Sequence, residues 1–217
     1  MARPKRALRV RSALPRLRRR IVLTGGPAAG KTAILEVVRR HLAGEVQALP
    51  ESASLLFKAG FPRPRRPAGV RCVQQAIFAV QRQLENCYAL MHPNEIHVCD
   101  RGSLDGAAFW PGGTERFVAA MGTTLDDEYH RYDAVLFLET SAYHEAAYPK
   151  PNGIRIENAA QARRVDRALQ QVWGAHPGFH RIGHKRDFYE KVAEVLIALY
   201  RILGRPPHRA LRRRGVR

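Results

Sequence analysis

The sequence predicts an α/β fold with a mainly parallel sheet, because short strands alternate along the chain with amphipathic helices. The predicted strands are largely apolar runs at 21–24, 46–49, 95–99, 133–138 and 177–182. A glycine-rich loop joins the first strand to the first helix, and an acidic residue follows each of three strands. These observations are typical of proteins that bind a ligand at the carboxyl ends of parallel strands.

The first strand and helix have the clearest pattern. Residues 21–24 are apolar or β-branched and lead directly into two glycines, which indicates a buried parallel strand. Apolar residues at helical spacing then predict a helix over 31–43. Residues 46–49 form a weaker strand, and a short helix is expected over 52–59.

A loop and the longest helix come next. Residues 60–69 contain three Pro, two Gly and three Arg, so we expect a loop there. The helix over 70–91 has apolar residues at every third or fourth position, which predict a buried stripe of Val73, Ile77, Val80, Leu84, Cys87 and Met91. A second stripe, about 100° around the helix, either lines a cleft or forms ordinary helix surface. Its members are Arg71, Gln74, Phe78 and Gln81.

The second half of the chain continues the alternation. The strand at 95–99 is followed by short helices over 103–131, which are interrupted at Pro111-Gly112-Gly113. A strongly apolar strand at 133–138 leads into a loop. The remaining predicted elements are that loop at 141–157, a helix at 158–173, the strand at 177–182 and an amphipathic helix at 186–203.

The positive charge of the chain lies mainly at its ends. The 217 residues carry a formal net charge of +18, of which residues 1–20 supply nine basic groups and residues 205–217 supply six, with no acid in either segment. We therefore predict a basic disordered arm at 1–19, a folded domain at 20–204 and a basic disordered tail at 205–217. Weak contact with nucleic acid or an anionic membrane is expected of these arms alone, and an organellar transit peptide is an alternative reading of the first.

Several classes of protein are disfavoured by the composition. Three cysteines without a CxxC pair argue against a disulfide framework or a zinc site, and they favour a reduced, cytoplasmic location. No apolar stretch approaches the roughly 20 residues of a transmembrane helix. His176, His180 and His184 straddle a proline and a predicted strand, so we do not expect them to share a metal ion.

Residues 25–32 match the pattern G-x-x-x-x-G-K-[ST] in full. Small residues allow the backbone to wrap around a phosphate, and the amino end of the following helix adds a positive dipole. Lys31 is expected to reach the β- and γ-phosphates of ATP or GTP, and Thr32 to bind Mg²⁺. The predicted nucleotide-binding residues are Gly25, Gly26, Pro27, Ala28, Ala29, Gly30, Lys31 and Thr32.

A second Mg²⁺ ligand is expected at the end of a neighbouring strand. Asp100 and Glu139 both end predicted strands; we favour Asp100 and keep Glu139 as the alternative. Arg101 is then placed to contact phosphate, although a surface arginine is the alternative. Glu51 follows the second strand, where it either binds a substrate hydroxyl or compensates the dipole of the next helix.

Basic residues in and after the loop at 141–157 suggest a lid over the transferred phosphate. Lys150, Arg155, Arg163 and Arg164 are the candidates, and Arg155 is the one that we select as catalytic. Arg163 and Arg164 are equally well explained as a solvated helix face.

Together these segments resemble the NadR-like P-loop group, which comprises ribosylnicotinamide-kinase domains and related AAA-type ATP/GTP-binding proteins. The resemblance covers roughly residues 20–204 and rests on GGPAAGKT at 25–32, PE at 50–51, VQQAIFAVQRQLE at 73–85, CDRGSLDGAAFW at 99–110, RYDAVLFLET at 131–140, Trp173 and His176-Pro177. It implies a kinase-type fold with five parallel strands in the order 2-3-1-4-5. It also implies that Glu51, Asp100-Arg101 and a basic region around Arg155 belong to the site.

The leading functional hypothesis is a Mg²⁺-dependent kinase that transfers the γ-phosphate of ATP or GTP to a small hydroxyl acceptor such as a nucleoside. Its catalytic residues would be Lys31, Glu51, Asp100, Arg101 and Arg155. Its acceptor would lie among Glu51, Arg71, Gln74, Phe78, Gln81 and Arg101. The alternative is a nucleotide-dependent switch with slow hydrolysis, because the related group includes members whose role looks like GTP and lipid binding.

Overall fold

The computed structural model describes residues 19–144, 148, 158–185, 187–207 and 211. The predicted basic arms, except their innermost residues, and the predicted lid residues Lys150 and Arg155 lie outside the described residues. The strands are β1 (Arg19–Thr24), β2 (Val46–Leu49), β3 (Ile96–Asp100), β4 (Ala134–Leu138) and β5 (Phe179–Ile182). The helices are α1 (Lys31–His41), α2 (Ser52–Lys58), α3 (Pro67–Met91), α4 (Gly113–Ala120), α5 (Leu125–Tyr129), α6 (Ala159–Trp173) and α7 (Phe188–Ile202). Two short 3₁₀ helices cover Ser103–Phe109 and Ser141–Tyr143.

The five strands form one parallel sheet in the order β2-β3-β1-β4-β5, which confirms the predicted fold class and strand order. In the register of β1 and β3, Leu23 lies beside Asp100. On the other side of β1, Thr24 lies beside Phe137 of β4. The carboxyl ends of the strands therefore meet at one edge of the sheet, next to the loop that follows β1.

Both faces of the sheet are covered, because alternate residues of each strand point to opposite sides. Ile21 and Leu23 pack with apolar residues of α1 and α7 on one face. Val22 belongs to a second cluster with the first 3₁₀ helix, α4 and the buried indole of Trp173 in α6. This three-layer arrangement fixes the sheet edge from two sides.

Helix α3 differs from the sequence prediction in its start and in the face that it buries. It begins at Pro67, inside the predicted loop, because proline is favoured in the first turn of a helix, where its missing N–H costs nothing. The predicted apolar stripe is correct only in part: Val73 is buried and Ile77, Val80 and Leu84 are half-buried, but Cys87 is exposed and Met91 is 70% exposed. The buried residues are Val73, Gln74, Gln81, Glu85 and Ala89.

Buried charge pairs explain why a polar face of α3 turns inward. The fully buried carboxylate of Glu85 lies 3.4 Å from Arg20 and also pairs with Arg131. It accepts a hydrogen bond from the hydroxyl of Tyr132 over 2.7 Å. A buried carboxylate with several such partners is stable, and apolar periodicity gives no sign of it.

Among residues 19–144, 158–185 and 187–207, no helix combines the length and the apolar composition that are needed to cross a membrane.

Candidate functional site

The loop between β1 and α1 has a backbone that its small residues make possible. Gly25, Ala28 and Gly30 have φ angles of 139°, 59° and 87°, in the region that favours glycine. A Cβ atom on Gly25 would lie 2.0 Å from the carbonyl oxygen of Leu138, so β4 leaves no room for a side chain there. The loop therefore curls tightly against the end of β4.

Two polar side chains fasten this loop to the segment that follows β4. One carboxylate oxygen of Asp166 accepts hydrogen bonds from the amides of Gly26, over 2.9 Å, and Thr140, over 3.1 Å. The hydroxyl of Thr140 donates in turn to the carbonyl of Pro27. These bonds hold the loop in shape from α6 and from the end of β4.

Lys31 lies at the first position of α1 and is 9% exposed. Its Nζ donates to the carbonyl oxygens of Gly25 and Gly26 over 2.9 and 3.0 Å. Burial, together with the nearby charge of Arg101, lowers the pKa of Lys31 to about 8, although neighbouring carboxylates act in the opposite direction. The helical hydrogen-bond ladder begins at the amide of Ile34, so the first amides of α1 are left for an anion.

A second buried lysine contacts the same loop. Lys191 of α7 donates from Nζ to the carbonyl of Ala29 over 2.9 Å and to the carbonyl of Glu139 over 2.7 Å. Burial lowers its pKa to about 8, against the raising effect of Asp166 and Glu139. Lys191 thus joins the loop, the end of β4 and α7.

Thr32 and Asp100 present the oxygens that Mg²⁺ prefers as ligands. The hydroxyl of Thr32 lies 3.5 Å from one carboxylate oxygen of Asp100. The other carboxylate oxygen of Asp100 is buried without a hydrogen-bond partner among the described residues. Burial raises the pKa of Asp100, and a cation bound at the orphaned oxygen would reverse that effect. The pair therefore fits a magnesium ion.

Glu139, the alternative Mg²⁺ ligand, is already engaged. It pairs with Arg181 and accepts a hydrogen bond from the amide of His184 over 3.0 Å. Burial raises its pKa, but these hydrogen bonds outweigh burial and bring the pKa below its usual value. These contacts join the end of β4 to the end of β5 and occupy both carboxylate oxygens of Glu139. Asp100 is therefore the better candidate for the metal ligand.

Arg101 and Glu51 form an ion pair across the ends of β2 and β3. Arg101 has a φ angle of 75°, which is uncommon for a residue with a side chain and typical of functional sites. Burial raises the pKa of Glu51, but Arg101, the hydroxyl of Ser54 and the charge of Lys31 outweigh it and bring the pKa to about 2. Glu51 is therefore ionised at neutral pH.

Asp105, which no sequence motif singles out, holds this pair in place. One of its oxygens accepts hydrogen bonds from Thr24, over 2.6 Å, and from Arg101, over 2.9 Å. The other accepts from the indole of Trp173 over 2.8 Å. Asp105 follows Arg101 by four residues, and this spacing is the one signal in the sequence for the contact.

A cavity of about 590 Å³ opens beside the Arg101–Glu51 pair. Its walls come from α2, the loop at 61–66, the first half of α3 and the first 3₁₀ helix, and most of the wall residues are apolar or aromatic. The lining residues are Glu51, Ala53, Phe57, Arg63, Pro64, Arg65, Val70, Val73, Gln74, Ile77, Arg101, Asp105, Gly106 and Phe109. This volume suits a small organic molecule.

The predicted acceptor residues on α3 divide into three groups. Gln74 lines the cavity. Gln81 is buried behind it, where it donates to the carbonyl of Arg101 over 3.2 Å and accepts from Ser52 over 2.5 Å. Arg71 is exposed and Phe78 packs edge-on against Phe117, and neither lines the cavity.

Of the remaining candidate residues, Arg163 donates to the carbonyl of Ala142 over 2.8 Å, and Arg164 is exposed. His176 is buried, and its ring contacts the carbonyl of Tyr132 and the amide of Gly178. His184 stacks instead on His144, with ring centroids 4.5 Å apart. These contacts account for the two histidines without a metal.

The fold and the loop at 25–32 together define a P-loop nucleotide-binding protein. A family model for an AAA domain matches residues 20–190, and the chain belongs to this family. The structure is similar to that of thymidylate kinase from Candida albicans, with a TM-score of 0.59 and 11% sequence identity over 85% of this chain and 93% of that one. The likeness shows the fold of a nucleotide kinase. No curated protein matches the sequence.

Proposed function

We propose that the protein is a Mg²⁺-dependent kinase that transfers the γ-phosphate of ATP or GTP to a hydroxyl group of a small, nucleoside-like acceptor. The observation that carries this proposal is the position of Asp100 and Arg101. Asp100 contacts Thr32 of the phosphate-binding loop, whereas Arg101 lines the cavity with Glu51. Two consecutive residues thus connect a nucleotide site with an acceptor site.

The nucleotide side would use the loop amides, the first turn of α1 and Lys31 to bind the triphosphate. Thr32 and Asp100 would hold Mg²⁺, and the ion would supply positive charge that offsets the charge of the phosphates. In this structure Lys31 donates to two neutral loop carbonyls. When a triphosphate binds, a charged phosphate oxygen would take the place of these acceptors. Charge-assisted hydrogen bonds of that kind are about twice as strong as neutral ones.

Glu51 would orient the acceptor hydroxyl. With a pKa of about 2 it is a weak base, but its ionised carboxylate accepts a hydrogen bond from a hydroxyl at neutral pH. Phosphoryl transfer depends mainly on positioning and on stabilisation of charge, so a strong base is not required. Arg101, which remains protonated, would stabilise charge on the transferred group. A further contribution from Arg155 stays a prediction.

The test is turnover of ATP and of GTP by the full chain, with and without Mg²⁺, against a panel of nucleosides and other small alcohols. We expect at least one acceptor to raise the rate about tenfold or more over hydrolysis alone. Glu51→Gln should lower acceptor-dependent turnover and leave triphosphate binding nearly unchanged. Lys31→Ala should weaken triphosphate binding, whereas Lys58→Ala, at an exposed site, is the matched control.

Slow hydrolysis that no acceptor accelerates would overturn the kinase proposal. That outcome would favour the nucleotide-dependent switch instead, and binding of partners with and without nucleotide would then be compared. Contact of the basic arms with nucleic acid or anionic membranes also remains a prediction, and removal of 1–18 and 206–217 would test it.

A further inference from the structure

We propose that the acceptor carries an anionic group on a flat, largely apolar body, at the end opposite to its reacting hydroxyl. This inference rests on the proposed function, since it describes the molecule that the cavity would hold. Glu51, at the strand-end side of the cavity, would take the hydroxyl. Arg63 and Arg65, in the loop between α2 and α3, would take the anionic group.

The charges in the cavity wall are not balanced. Three arginines and two carboxylates line it, and Arg101 pairs with both carboxylates. Among the described residues, Arg63 and Arg65 have no carboxylate and no hydrogen-bond partner. The cavity therefore has an ion-paired cluster at the strand ends and two unpaired guanidinium groups in its other wall. Guanidinium groups bind carboxylates and phosphates through two parallel hydrogen bonds.

Arg63 is held against the cavity wall. Its guanidinium carbon lies 4.1 Å from the centre of the Phe57 ring, in a cation–π contact. This contact uses the face of the guanidinium plane and leaves the N–H groups at its edge to donate. Pro62 and Pro64 flank Arg63 and restrict its backbone, so less freedom is lost when an anion binds.

The loop that carries the two arginines is anchored on α3. A Cβ atom on Gly69 would lie 2.5 Å from the Cβ of Pro64, so the absence of a side chain at Gly69 allows this close packing. Pro64 therefore sits directly on the first turns of α3, between the two arginines. Backbone packing thus fixes the course of the chain at both arginines, and the contact with Phe57 fixes the guanidinium group of Arg63.

The rest of the wall indicates the body of the ligand. Phe57 and Phe109 supply aromatic surface, and Val70, Val73 and Ile77 supply an aliphatic face from α3. Gln74 adds a polar group that is suited to a single carbonyl or amine. Aromatic and aliphatic walls with few polar groups favour a planar ring system over a chain of hydroxyl groups.

Calorimetric titration of the full chain, with Mg²⁺ and a non-hydrolysable ATP analogue present, tests this inference with three probes. Uridine is neutral, 5-carboxyuridine adds a carboxylate to the outer edge of the base, and uridine 5-phosphonic acid adds a phosphonate, as a phosphate mimic, at the same ring position. All three keep a free 5′-hydroxyl. We expect at least one anionic probe to bind about tenfold or more tightly than uridine. The two anionic arms distinguish a carboxylate from a phosphate.

The double variant Arg63→Ala/Arg65→Ala should remove this preference, so that the anionic probes bind no more tightly than uridine does. Arg66→Ala is the matched control, because Arg66 is an exposed neighbour that does not line the cavity. Equal affinity for the three probes, binding by none of them, or a preference that survives in the double variant would overturn the inference.

The same experiment tests the proposed kinase function separately from the proposed anion preference. Phosphate transfer to each probe is measured in parallel with hydrolysable ATP. An anion preference that depends on Arg63 and Arg65, with no transfer to any acceptor, would overturn the kinase proposal and keep the binding site. Transfer to uridine without any anion preference would keep the kinase proposal and overturn this inference.

Discussion

Lys191 donates a hydrogen bond to the carbonyl oxygen of Ala29 over 2.9 Å, although 162 residues separate them in the sequence. The same ammonium group reaches the carbonyl of Glu139, so α7 holds the phosphate-binding loop against the end of β4. This lysine is 5% exposed and touches only backbone oxygens in these contacts. It therefore acts on the shape of the loop.

Lys191→Met should weaken triphosphate binding by about tenfold, because the loop loses a brace while the stem of the side chain keeps its packing. We expect little change in melting temperature, since burial of the charge, seen in the lowered pKa, offsets much of what the hydrogen bonds contribute. Calorimetry and thermal unfolding measure the two effects, with Lys58→Met as the exposed control. Unchanged affinity would contradict this role.

Asp105→Asn should lower kcat by about tenfold or more and leave the Kd for triphosphate within about twofold. The amide nitrogen cannot accept from Thr24 or Arg101, so the Arg101–Glu51 pair loses its fixed position. Steady-state kinetics of the variant and of Asp126→Asn, at an exposed carboxylate, would show the difference. A wild-type kcat in the Asp105 variant would exclude a positioning role.

Asp100 and Glu139, the two candidate Mg²⁺ ligands, can be distinguished by the magnesium dependence of their variants. Asp100→Asn should raise the Mg²⁺ concentration for half-maximal turnover by about tenfold or more, because the orphaned oxygen is then part of a neutral amide. Glu139→Gln should leave it nearly unchanged, since that carboxylate is bound to Arg181 and to the amide of His184. Magnesium titrations of both variants measure this, and the opposite ranking would transfer the metal role to Glu139.

Triphosphate affinity should fall as the pH rises above 8. The pKa of Lys31 is lowered to about 8, so the ammonium is charged below this pH and neutral above it. A bound phosphate favours the charged form, so binding takes up a proton, and Kd should rise by up to about tenfold per pH unit above pH 8. Titrations at pH 7.5 to 9.5 test this, and Lys31→Arg should bind more weakly but without the rise. A flat profile in the wild-type chain would mean that Lys31 keeps its proton throughout.

The sheet and its glycine-rich loop were predictable because their signals are local. A β-branched strand, a complete phosphate-binding pattern and a helix follow one another within 21–43, and parallel pairing then brings the other strand ends to the same edge. Asp100 and Glu51 were placed at this edge of the sheet in the same way. Their position follows from the topology alone, without knowledge of any side-chain contact.

The inward face of α3 and the supports of the loop were not predictable in this way. Glu85 is buried because it pairs with Arg20 and Arg131, which belong to distant segments of the chain. The spacing of residues within α3 does not reveal these partners. Asp166 and Lys191 likewise contact the loop from more than 100 residues away. In the sequence each is one charged residue on an amphipathic helix, where a solvated position is the ordinary expectation.

Arg101, with its left-handed backbone, directly follows Asp100. A single peptide bond therefore joins the proposed metal ligand to the proposed acceptor-binding residue. If Asp100 binds the metal and Arg101 the acceptor, as we propose, a change at this peptide bond should disturb both at once. The loop that carries Arg63 and Arg65 is free of this constraint, because it is anchored on α3 rather than on the sheet. Diverging descendants of this protein should therefore exchange residues in that loop and at Phe57 and Phe109 as they acquire new acceptors, while 100–101 remains fixed.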